Sequence, residues 1–547
     1  MKALEDRQAR AVERAMRHEL RRNVRGLRLP GHPPPYFISY LLRDVRSFTF
    51  DGRYGALYTD REYHSVDLYS EVRVGSHRQD QTMDGGLDRR LGERGSAHWI
   101  HGPLDLDADA LRYSLWKLTH FKYSEALQDY YDKQKTQVQQ RLPKDASCFT
   151  KEPRHIRLER IESKPPALAR WRRLAREASA HFSRHRQLID PYVRVWGADL
   201  ARVFVSSEGS RFISQDRYYR VAIEAWLLDE GGAYLHASRY FSALDEDQLP
   251  SLGEVKSAID QVGEELDELK AAPPLDPYAG PALLSGRATG LLFHEAVGHR
   301  LEGERMLSRS EGRTFAEAIG RQILPKEVDL IDDPTLDHWG DEPLLGHYRI
   351  DDEGVSARPV KLVEKGVLKT FLLSRTPAPG FKHSNGHARQ EEVQAPMARM
   401  SNLVVKSDAR HGWAELKTTL CELVKARGLP YGIIIKDASS GETQTDSYDF
   451  QAFKGLPTHV AIVDPDTGQE KRVRGVSFIG TPLAAIQRIR AFGRDYQVDN
   501  SFCYAESGAV PVSTVAPAML LEELELQREN QRNYRAPVLP LPALRRR

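Results

Sequence analysis

Cysteine is scarce in this chain of 547 residues, where only Cys148, Cys421 and Cys503 occur, far apart in the sequence. An odd number at such spacings is not the pattern of a disulfide framework, so we expect a protein of the reducing cytoplasm. Long apolar runs are missing as well. No stretch approaches the ~20 residues of a membrane-spanning helix, and the first residues lack the apolar segment of a secretory signal. We therefore expect neither a disulfide-stabilised secreted domain nor a membrane partner.

An excess of charge of one sign is also absent, because 79 Lys and Arg residues face 77 Asp and Glu residues. Net charge thus provides no argument for a nucleic-acid partner, and we expect none. Residues 1–28 predict an arginine-rich helix, but acidic residues interrupt its positive charge. This mixture favours a solvated helix face over a nucleic-acid-binding arm.

The length allows two or more domains, and the Pro- and Gly-rich segment 271–286 is the best candidate boundary between them. Before it, helical and strand patterns are mixed; after it, strand patterns dominate. The sequence therefore predicts an α+β protein with an N-terminal α/β domain over 1–275 and a strand-rich C-terminal domain over 282–535. Residues 536–547 are interpreted as a frayed tail.

Periodicity and turn residues predict the elements of the first domain. The predicted helices cover 1–28, 108–142, 165–187 and 251–271. The predicted strands cover 191–205, 211–228 and 233–241, and residues 36–75 are strand-rich. Four aromatic residues of the middle helices are expected to serve core or dimer packing rather than a ligand site: Trp116, Tyr130, Tyr131 and Trp171.

The segment "LLFHEAVGHRLEGE" at 291–304 carries the strongest chemical signal. His294 and Glu295 begin like the H-E-x-x-H motif of zinc proteases, but His299 follows one position too late. In a regular helix, positions five apart lie ~140° apart around the axis, whereas positions four apart lie ~40° apart. Two imidazoles can meet one cation here only if the backbone departs from α-helical geometry. Unusual backbone angles at Gly298 and a π-bulge are the two candidate causes.

A catalytic zinc needs a third protein ligand and an open position for water. Glu302 is the local candidate, three positions after His299; Cys503, in a predicted loop, is the distant one. Glu295 is placed to accept the proton of a metal-bound water. The other interpretation of the same residues is a packed helix whose histidines only make hydrogen bonds. Spacing alone leaves these alternatives open.

Further segments resemble conserved blocks of one family, in the same order from about 285 to 515. They are "YRIDDEGVSARPVKLVEKGVLKTFLLS", "SNGHAR", "ARMSNLVV", "SSGETQTDSYDFQ", "VRGVSFIGTPLAAIQRIRAFGRD" and "FCYAESGAVPVS". With the histidine motif, the chain resembles the TldD/PmbA family of metallopeptidases, in its TldD-like branch with H-E-x-x-x-H. The resemblance implies a two-domain α+β fold. It also marks the helical stretch within about 108–190 as an insertion.

The resemblance further implies a zinc ion held by His294, His299 and Cys503, with Glu295 as the catalytic base. The implied activity is hydrolysis of unstructured peptides by metal-activated water. Two of the similar segments imply substrate-binding residues: Asn385, Gly386 and Arg389 in the first, and Gly441 and Glu442 in the second.

Partners follow from the same resemblance, which implies either a homodimer or a heterodimer with a metal-free paralogue. Two alternative functions stay open. The chain is either a catalytically inactive, TldE-like partner subunit, or a metal-dependent amidase that acts on small substrates. Retention of His294, Glu295 and His299 argues against the inactive subunit.

Overall fold

The structure is a computed structural model that describes residues 4–82, 100–140, 147–307, 314–391, 394–408, 411–443, 453–480, 486–529 and 534. Within these ranges the chain forms two large β-sheets. One is built from strands before residue 244, and the other from strands after residue 277. The predicted tail, 536–547, lies outside the described residues.

The first half alternates helices and strands. Its helices are α1 (Asp6–Gly26), α2 (Ala108–Gln140), α3 (Leu168–Ser179) and α4 (Leu252–Ala271). Its strands are β1 (Pro35–Arg53), β2 (Ala56–Val74), β3 (Ile100–His101), β4 (Ile156–Leu158), β5 (Ile189–Ser206), β6 (Arg211–Leu228) and β7 (Tyr234–Ala243).

The first sheet has the strand order β3-β2-β1-β5-β6-β4, with β7 also paired to β6. Its long strands pair antiparallel, and β1 and β2 form a hairpin. At the turn of this hairpin, Tyr54 and Gly55 both have positive φ, 46° and 83°. This left-handed pair matches the twist of the two strands and allows a tight connection.

The four α-helices described in this half cover one face of this sheet. Side chains alternate along a strand, so Ile38, Tyr40, Phe48 and Phe50 of β1 point to the same side. The first two pack with α1 and α2, and the last two pack with α3 and α4. The opposite face, which includes Arg43, is turned towards the second half of the chain.

The second half is rich in strands. Its two helices are α5 (Gly286–Phe293) and α6 (Trp413–Ala426). Its shorter strands are β8 (Tyr278–Leu284), β9 (Val328–Asp332), β10 (His338–Trp339), β11 (Glu342–Pro343), β12 (Val360–Glu364), β13 (Val367–Leu368), β14 (Ala388–Arg389), β15 (Met397–Ala398) and β16 (Asn402–Ser407). The remaining strands are β17 (Gly432–Thr443), β18 (Phe453–Val463), β19 (Glu470–Val473), β20 (Val476–Gly480), β21 (Ile489–Ala505) and β22 (Gly508–Arg528).

The second sheet is mixed and has the order β13-β12-β9-β16-β22-β20-β18-β17-β8. Strand β21 pairs antiparallel with β22, and β22 also pairs with β8. Helix α5 follows β8 and packs on this sheet, where Ala288, Leu292 and Phe293 join a large apolar core. It begins at Ser285, whose hydroxyl accepts a hydrogen bond from the backbone N–H of Ala288. The sheet and the core thus hold the end of α5 in place.

The predicted fold class is confirmed, since a mixed α/β half precedes a strand-rich half that carries the histidine helix. One local prediction was wrong. The helix predicted over 165–187 is α-helical only to Ser179 and then tightens into a 3₁₀ turn. Within the candidate boundary segment 271–286, β8 begins at Tyr278. The limits 1–275 and 282–535 and the insertion within 108–190 stay predictions.

The four aromatic residues predicted to serve packing differ in how deeply they are buried. Trp171 is fully buried in the core beneath α3, as predicted, and Tyr130 and Tyr131 pack against the core beneath α2. Trp116, in contrast, is 45% exposed.

No helix within the described part of the chain is long and apolar enough to cross a membrane.

Candidate metal centre

A π-helical turn brings the two histidines together. Helix α5 ends at Phe293 and continues as a π-helical segment from His294 to Gly298, followed by a 3₁₀ turn. The backbone N–H of His299 donates to the carbonyl of His294, five positions earlier. This wider turn places positions five apart near one face. The imidazole rings lie 5.0 Å apart between centroids and almost perpendicular, so the predicted departure from α-helical geometry is confirmed.

The predicted role of Gly298 in that departure was wrong. Its backbone angles are φ −54° and ψ −57°, which any residue adopts in a helix. Glycine is needed for space instead, because a Cβ at this position would lie 2.1 Å from the sulfur of Met400. The π-turn therefore packs directly against the neighbouring chain segment through a residue without a side chain.

Cys503 completes the group from the far end of the chain. It lies on strand β21, not in the predicted loop, and is directly opposite Val510 of β22. Its sulfur is 3.3 Å from Nε2 of His294 and 3.4 Å from Nε2 of His299. The three donor atoms lie within 4.8 Å of one another, and all three residues are buried.

These donors fit a divalent, borderline-soft cation. Thiolate and imidazole are ligands that zinc prefers, and three protein ligands leave a fourth position for water. In a tetrahedral zinc site, sulfur and nitrogen ligands lie roughly 3.5 Å apart. The separations of 3.3 and 3.4 Å between Cys503 and the histidine nitrogens agree with this geometry.

Electrostatics favour a thiolate in this cluster. Burial alone would raise the pKa of the Cys503 thiol, but His299, His294 and Arg399 outweigh it and hold that pKa well below its ordinary value. Burial likewise lowers the pKa of both imidazoles, yet the neighbouring thiolate raises the pKa of His294 and, with Glu302, that of His299. The cluster thus attracts positive charge, as protons or as a cation that displaces them.

Glu295 lies beside the donor atoms. Its Oε2 is 3.9 Å from Nε2 of His299, and its side chain is buried. Strand β17 passes so close that a Cβ at Gly441 would lie 2.5 Å from Cγ of Glu295. A glycine at 441 therefore leaves room for this carboxylate next to the metal ligands.

Glu302 occupies the other side of His299. Its Oε2 lies 3.3 Å from Nδ1 of His299, the ring nitrogen that does not face Cys503. Burial would raise the pKa of Glu302, but His299 and Arg305 lower it to about 2, so it is a carboxylate at neutral pH. Of the two candidates for third ligand, the structure places Cys503 at the Nε2 atoms. Glu302 is placed to orient the imidazole through a hydrogen bond.

Two arginines connect this centre to the β21–β22 turn. Arg399 is fully buried and donates to the backbone carbonyl of Cys503 at 2.7 Å and to the hydroxyl of Ser507 at 2.9 Å. Arg305 makes two hydrogen bonds of 2.9 Å to Glu506. Sequence reasoning missed both. The available signal was Arg399 between the apolar residues Ala398 and Met400, since a buried arginine needs dedicated partners.

The position of Glu302 leads to a prediction. Glu302→Gln is expected to weaken metal binding by about 10–100-fold, the usual effect of losing a carboxylate that orients a metal-bound imidazole. Competition with a chromogenic chelator measures the affinity. Glu506→Gln is the matched control, because Glu506 pairs with Arg305 but does not contact either histidine. If Glu302→Gln and Glu506→Gln bind the metal with equal affinity, Glu302 influences the metal ligands only through its ion pair with Arg305.

Two of the predicted substrate-binding residues are engaged within the fold. Asn385 accepts a hydrogen bond from the N–H of Leu373 and donates to the carbonyl of Phe371, both at 2.8 Å. Gly386 has φ +81°, and a Cβ there would lie 2.4 Å from the carbonyl oxygen of Ser356. Their role as substrate contacts stays a prediction.

The remaining predicted substrate residues lie in two places. Arg389 is buried and lines a cavity between the two halves of the chain. Gly441 lies against Glu295, next to the candidate metal ligands. The backbone of Glu442 belongs to β17, but its side chain lies outside the described residues.

The second half of the chain is similar to proteins of one family. Residues 278–528 match the family described as the PmbA/TldA metallopeptidase C-terminal domain. An Archaeoglobus fulgidus protein named metalloprotease is 31% identical over 275 residues, 49% of this chain and 58% of its own length. A Saccharolobus solfataricus protein named zinc metalloprotease TldD homolog is 26% identical over 267 residues, 48% of this chain and 54% of its own length. The chain thus spans little more than half the length of these relatives.

Solved structures match almost the whole fold. TldE from Thermococcus kodakarensis superposes with a TM-score of 0.58 and 12% identity, covering 94% of this chain and all of that protein. A Thermotoga maritima protein described as a candidate modulator of a DNA gyrase superposes with a TM-score of 0.60 and 16% identity, covering 90% of this chain and 96% of that protein. At such identities the likeness concerns the fold. The family match, the metalloprotease relatives and the shared fold agree, so residues 278–528 form a C-terminal domain of the PmbA/TldD type.

Proposed function

We propose that this chain is a zinc-dependent peptidase that hydrolyses unstructured peptides. One observation carries the proposal: His294, His299 and Cys503 present three donor atoms within 4.8 Å of one another, with the carboxylate of Glu295 beside them. The relatives named metalloprotease support the same conclusion.

In this proposal His294, His299 and Cys503 would hold the zinc ion. When bound, zinc would supply a Lewis acid for peptide hydrolysis. Glu295 would act as the general base that takes up a proton and returns it to the departing amine. Glu302 holds the ring of His299 in orientation through Nδ1, and Arg399 fixes the backbone of Cys503.

Strand β17 fixes the place of the base. Gly441→Ala is therefore expected to keep the metal but to reduce kcat/KM by about 100-fold, because a new methyl group displaces Glu295 by roughly 1 Å. Steady-state kinetics on a fluorogenic peptide and metal analysis of the same sample measure both effects. Gly253→Ala on α4, where the nearest atom would lie 3.9 Å away, is the control for added bulk. Unchanged kinetics in Gly441→Ala would contradict this placement of Glu295.

Assembly and location form part of the proposal. The fold is shared with TldE from Thermococcus kodakarensis, which supports either a homodimer or a heterodimer with a metal-free paralogue of the same fold. The small number of cysteines supports a cytoplasmic protein. Size-exclusion chromatography with light scattering, with and without a co-expressed paralogue, measures the assembly directly.

One experiment separates this function from its rivals. The purified chain, loaded with zinc, is incubated with an unstructured protein such as casein and, separately, with small amides, and the products are identified by mass spectrometry. Internal or terminal peptide products support the peptidase. Ammonia release from small amides alone would favour the amidase, and zinc binding below one ion per chain without any product would favour an inactive partner subunit.

A further inference from the structure

We propose that a cavity between the two halves of the chain binds a carboxylate group of the peptide substrate through the guanidinium of Arg389. The carboxylate belongs either to the C-terminus of the peptide or to an acidic side chain. This inference rests on the proposed peptidase function for the identity of the ligand, but the cavity and its unpaired arginine are properties of the structure itself.

The cavity has a volume of about 180 Å³. One wall is the helix-free face of the first sheet, represented by Val45 and Trp196, and the other is formed by the second half, including Tyr348 and Phe502. Tyr63 lies at the edge and is 56% exposed, so the cavity reaches the surface there. Mixed apolar and polar walls of this kind are typical of ligand sites.

Arg389 is the exceptional group in this cavity, because it is 7% exposed and yet has no acidic partner. One of its N–H groups donates to the carbonyl of Met400 at 2.7 Å, and its guanidinium lies 5.0 Å from the ring centre of Tyr348. Throughout the described ranges no carboxylate lies within ion-pair distance, and the other N–H groups have no acceptor. Burying a charge without a counter-ion is costly. An anionic ligand would remove that cost.

The other two arginines of the cavity differ from Arg389. Arg202 pairs with Asp352 at 2.8 Å and with Asp216 at 3.0 Å. Arg43 donates to the carbonyl of Gln390 and lies 3.9 Å from Asp352. Their charge is already compensated within the protein. Among the arginines that line the cavity, Arg389 alone forms no ion pair within the described part of the chain; its pKa is lowered by burial, although the nearby charge of Asp352 partly opposes that shift.

The carboxylates that line the cavity contact groups other than Arg389. Asp352 and Asp216 belong to the ion pairs of Arg202. Glu391 accepts a hydrogen bond from the N–H of Ala509 at 2.6 Å. Asp351 accepts from the N–H of Val355 at 2.8 Å, and burial raises its pKa to about 7, which reduces its negative charge near neutral pH. Asp67 lies 3.2 Å from His101. None of these groups lies within ion-pair distance of Arg389.

The cavity adjoins the candidate metal centre. Val510, which lines it, is directly opposite Cys503 and packs against that residue. The carbonyl that Arg389 binds belongs to Met400, whose sulfur packs at Gly298 of the π-turn. The cavity lining and the candidate metal centre thus share the contact between Val510 and Cys503.

The walls define what should stand beside the carboxylate. Trp196, Tyr218 and Phe502 offer aromatic surface, which favours an apolar side chain next to the anionic group. Arginine binds carboxylates through two parallel N–H groups, and such hydrogen bonds are roughly twice as strong as neutral ones. The substrate class is thus a peptide with an apolar residue adjacent to a C-terminal carboxylate or to an Asp or Glu side chain.

The test measures binding and not cleavage. Three acetylated versions of one fluorescent, apolar peptide are titrated into the full-length Glu295→Gln protein loaded with zinc. The first has a free C-terminal carboxylate, the second a C-terminal amide, and the third a C-terminal amide with one internal Glu. We expect the first or the third to bind at least about tenfold more tightly than the second. The better of the two identifies the source of the carboxylate.

Arg389→Gln, introduced in the same background, is expected to remove this preference. Its amide keeps a donor for the carbonyl of Met400. Arg172→Gln, at a half-buried arginine that pairs with Asp60 of β2, is the control for the loss of one positive charge. Equal binding of all three peptides by the Arg389-containing protein, a result that depends on no cavity variant, would overturn the inference. So would an identical loss of preference in Arg172→Gln.

Failure of this inference is distinguishable from failure of the proposed function. If the wild-type protein cleaves peptides but does not prefer a carboxylate, the peptidase stands and the cavity assignment falls. If carboxylate peptides bind through Arg389 but none is cleaved, the cavity assignment stands and the peptidase falls.

Discussion

Glu295→Gln is expected to lose peptide cleavage by about 10²–10⁴-fold in kcat/KM while binding one metal ion per chain. The size of the loss is that of removing a general base. Glutamine has nearly the shape of glutamate, so the contact with Gly441 persists, but its amide cannot accept the proton of the attacking water. Because Glu295 is not among the three grouped donors, the metal affinity should be unchanged. Steady-state kinetics and metal analysis of the same preparation measure the two effects.

The control for this experiment is Glu295→Asp. Aspartate keeps a carboxylate but retracts it by one methylene group, so we expect partial activity, between that of the wild type and that of the glutamine variant. Cleavage at the wild-type rate by Glu295→Gln would exclude Glu295 as the base. Loss of the metal together with the activity would indicate that Glu295 belongs to the ligands.

Cys503→Ala is expected to lower metal affinity by more than the roughly 10–100-fold that outer hydrogen-bond partners contribute, so that the purified protein carries little metal. The reason is that the thiolate is the only anionic donor within the group of three. Thermal unfolding should reveal the same loss. At a zinc concentration 100 times its Kd, a bound ion stabilises the folded state by about 2.7 kcal/mol. We expect this stabilisation in the wild type and not in the variant.

Cys421→Ala is the matched control for the second experiment. Cys421 is partly exposed on α6 and takes no part in the grouped donors. Its replacement should leave both the metal content and the zinc-dependent stabilisation unchanged. A Cys503→Ala protein with a full complement of zinc would exclude the sulfur as a ligand, and Glu302 would then be the carboxylate to test.

The comparison of sequence and structure is most instructive at the π-turn. The spacing of His294 and His299 requires a departure from α-helical geometry, and the structure has one. Of the two candidate causes, the structure has the π-turn and not the unusual backbone angles at Gly298. Gly298 has ordinary helical angles, and its lack of a side chain matters because Met400, about one hundred positions later, packs against it. The glycine at position 298 is thus required by tertiary packing and not by the local backbone conformation.

The arginines that support the metal centre also could not be identified from the sequence. Arg305 and Arg399 hold the β21–β22 turn near the metal centre, but an arginine in a sequence is a surface residue by default. Only the fold shows that these side chains are buried and which acceptors they reach. The missing counter-ion of Arg389 is likewise invisible in the sequence, because the identity of its neighbours depends on how the two halves meet.

By itself, the sequence determined the α+β organisation, the donor types and the candidate base, since periodicity and side-chain chemistry are local properties. It also determined that two histidines five positions apart need a distorted helix. Spacing left Cys503 and Glu302 open as the third ligand, and only the family resemblance implied Cys503. The tertiary structure places that sulfur at the Nε2 atoms, because a β-strand pairing some two hundred residues away sets its position. It also decided which buried charges have partners, since contacts between distant segments follow from packing.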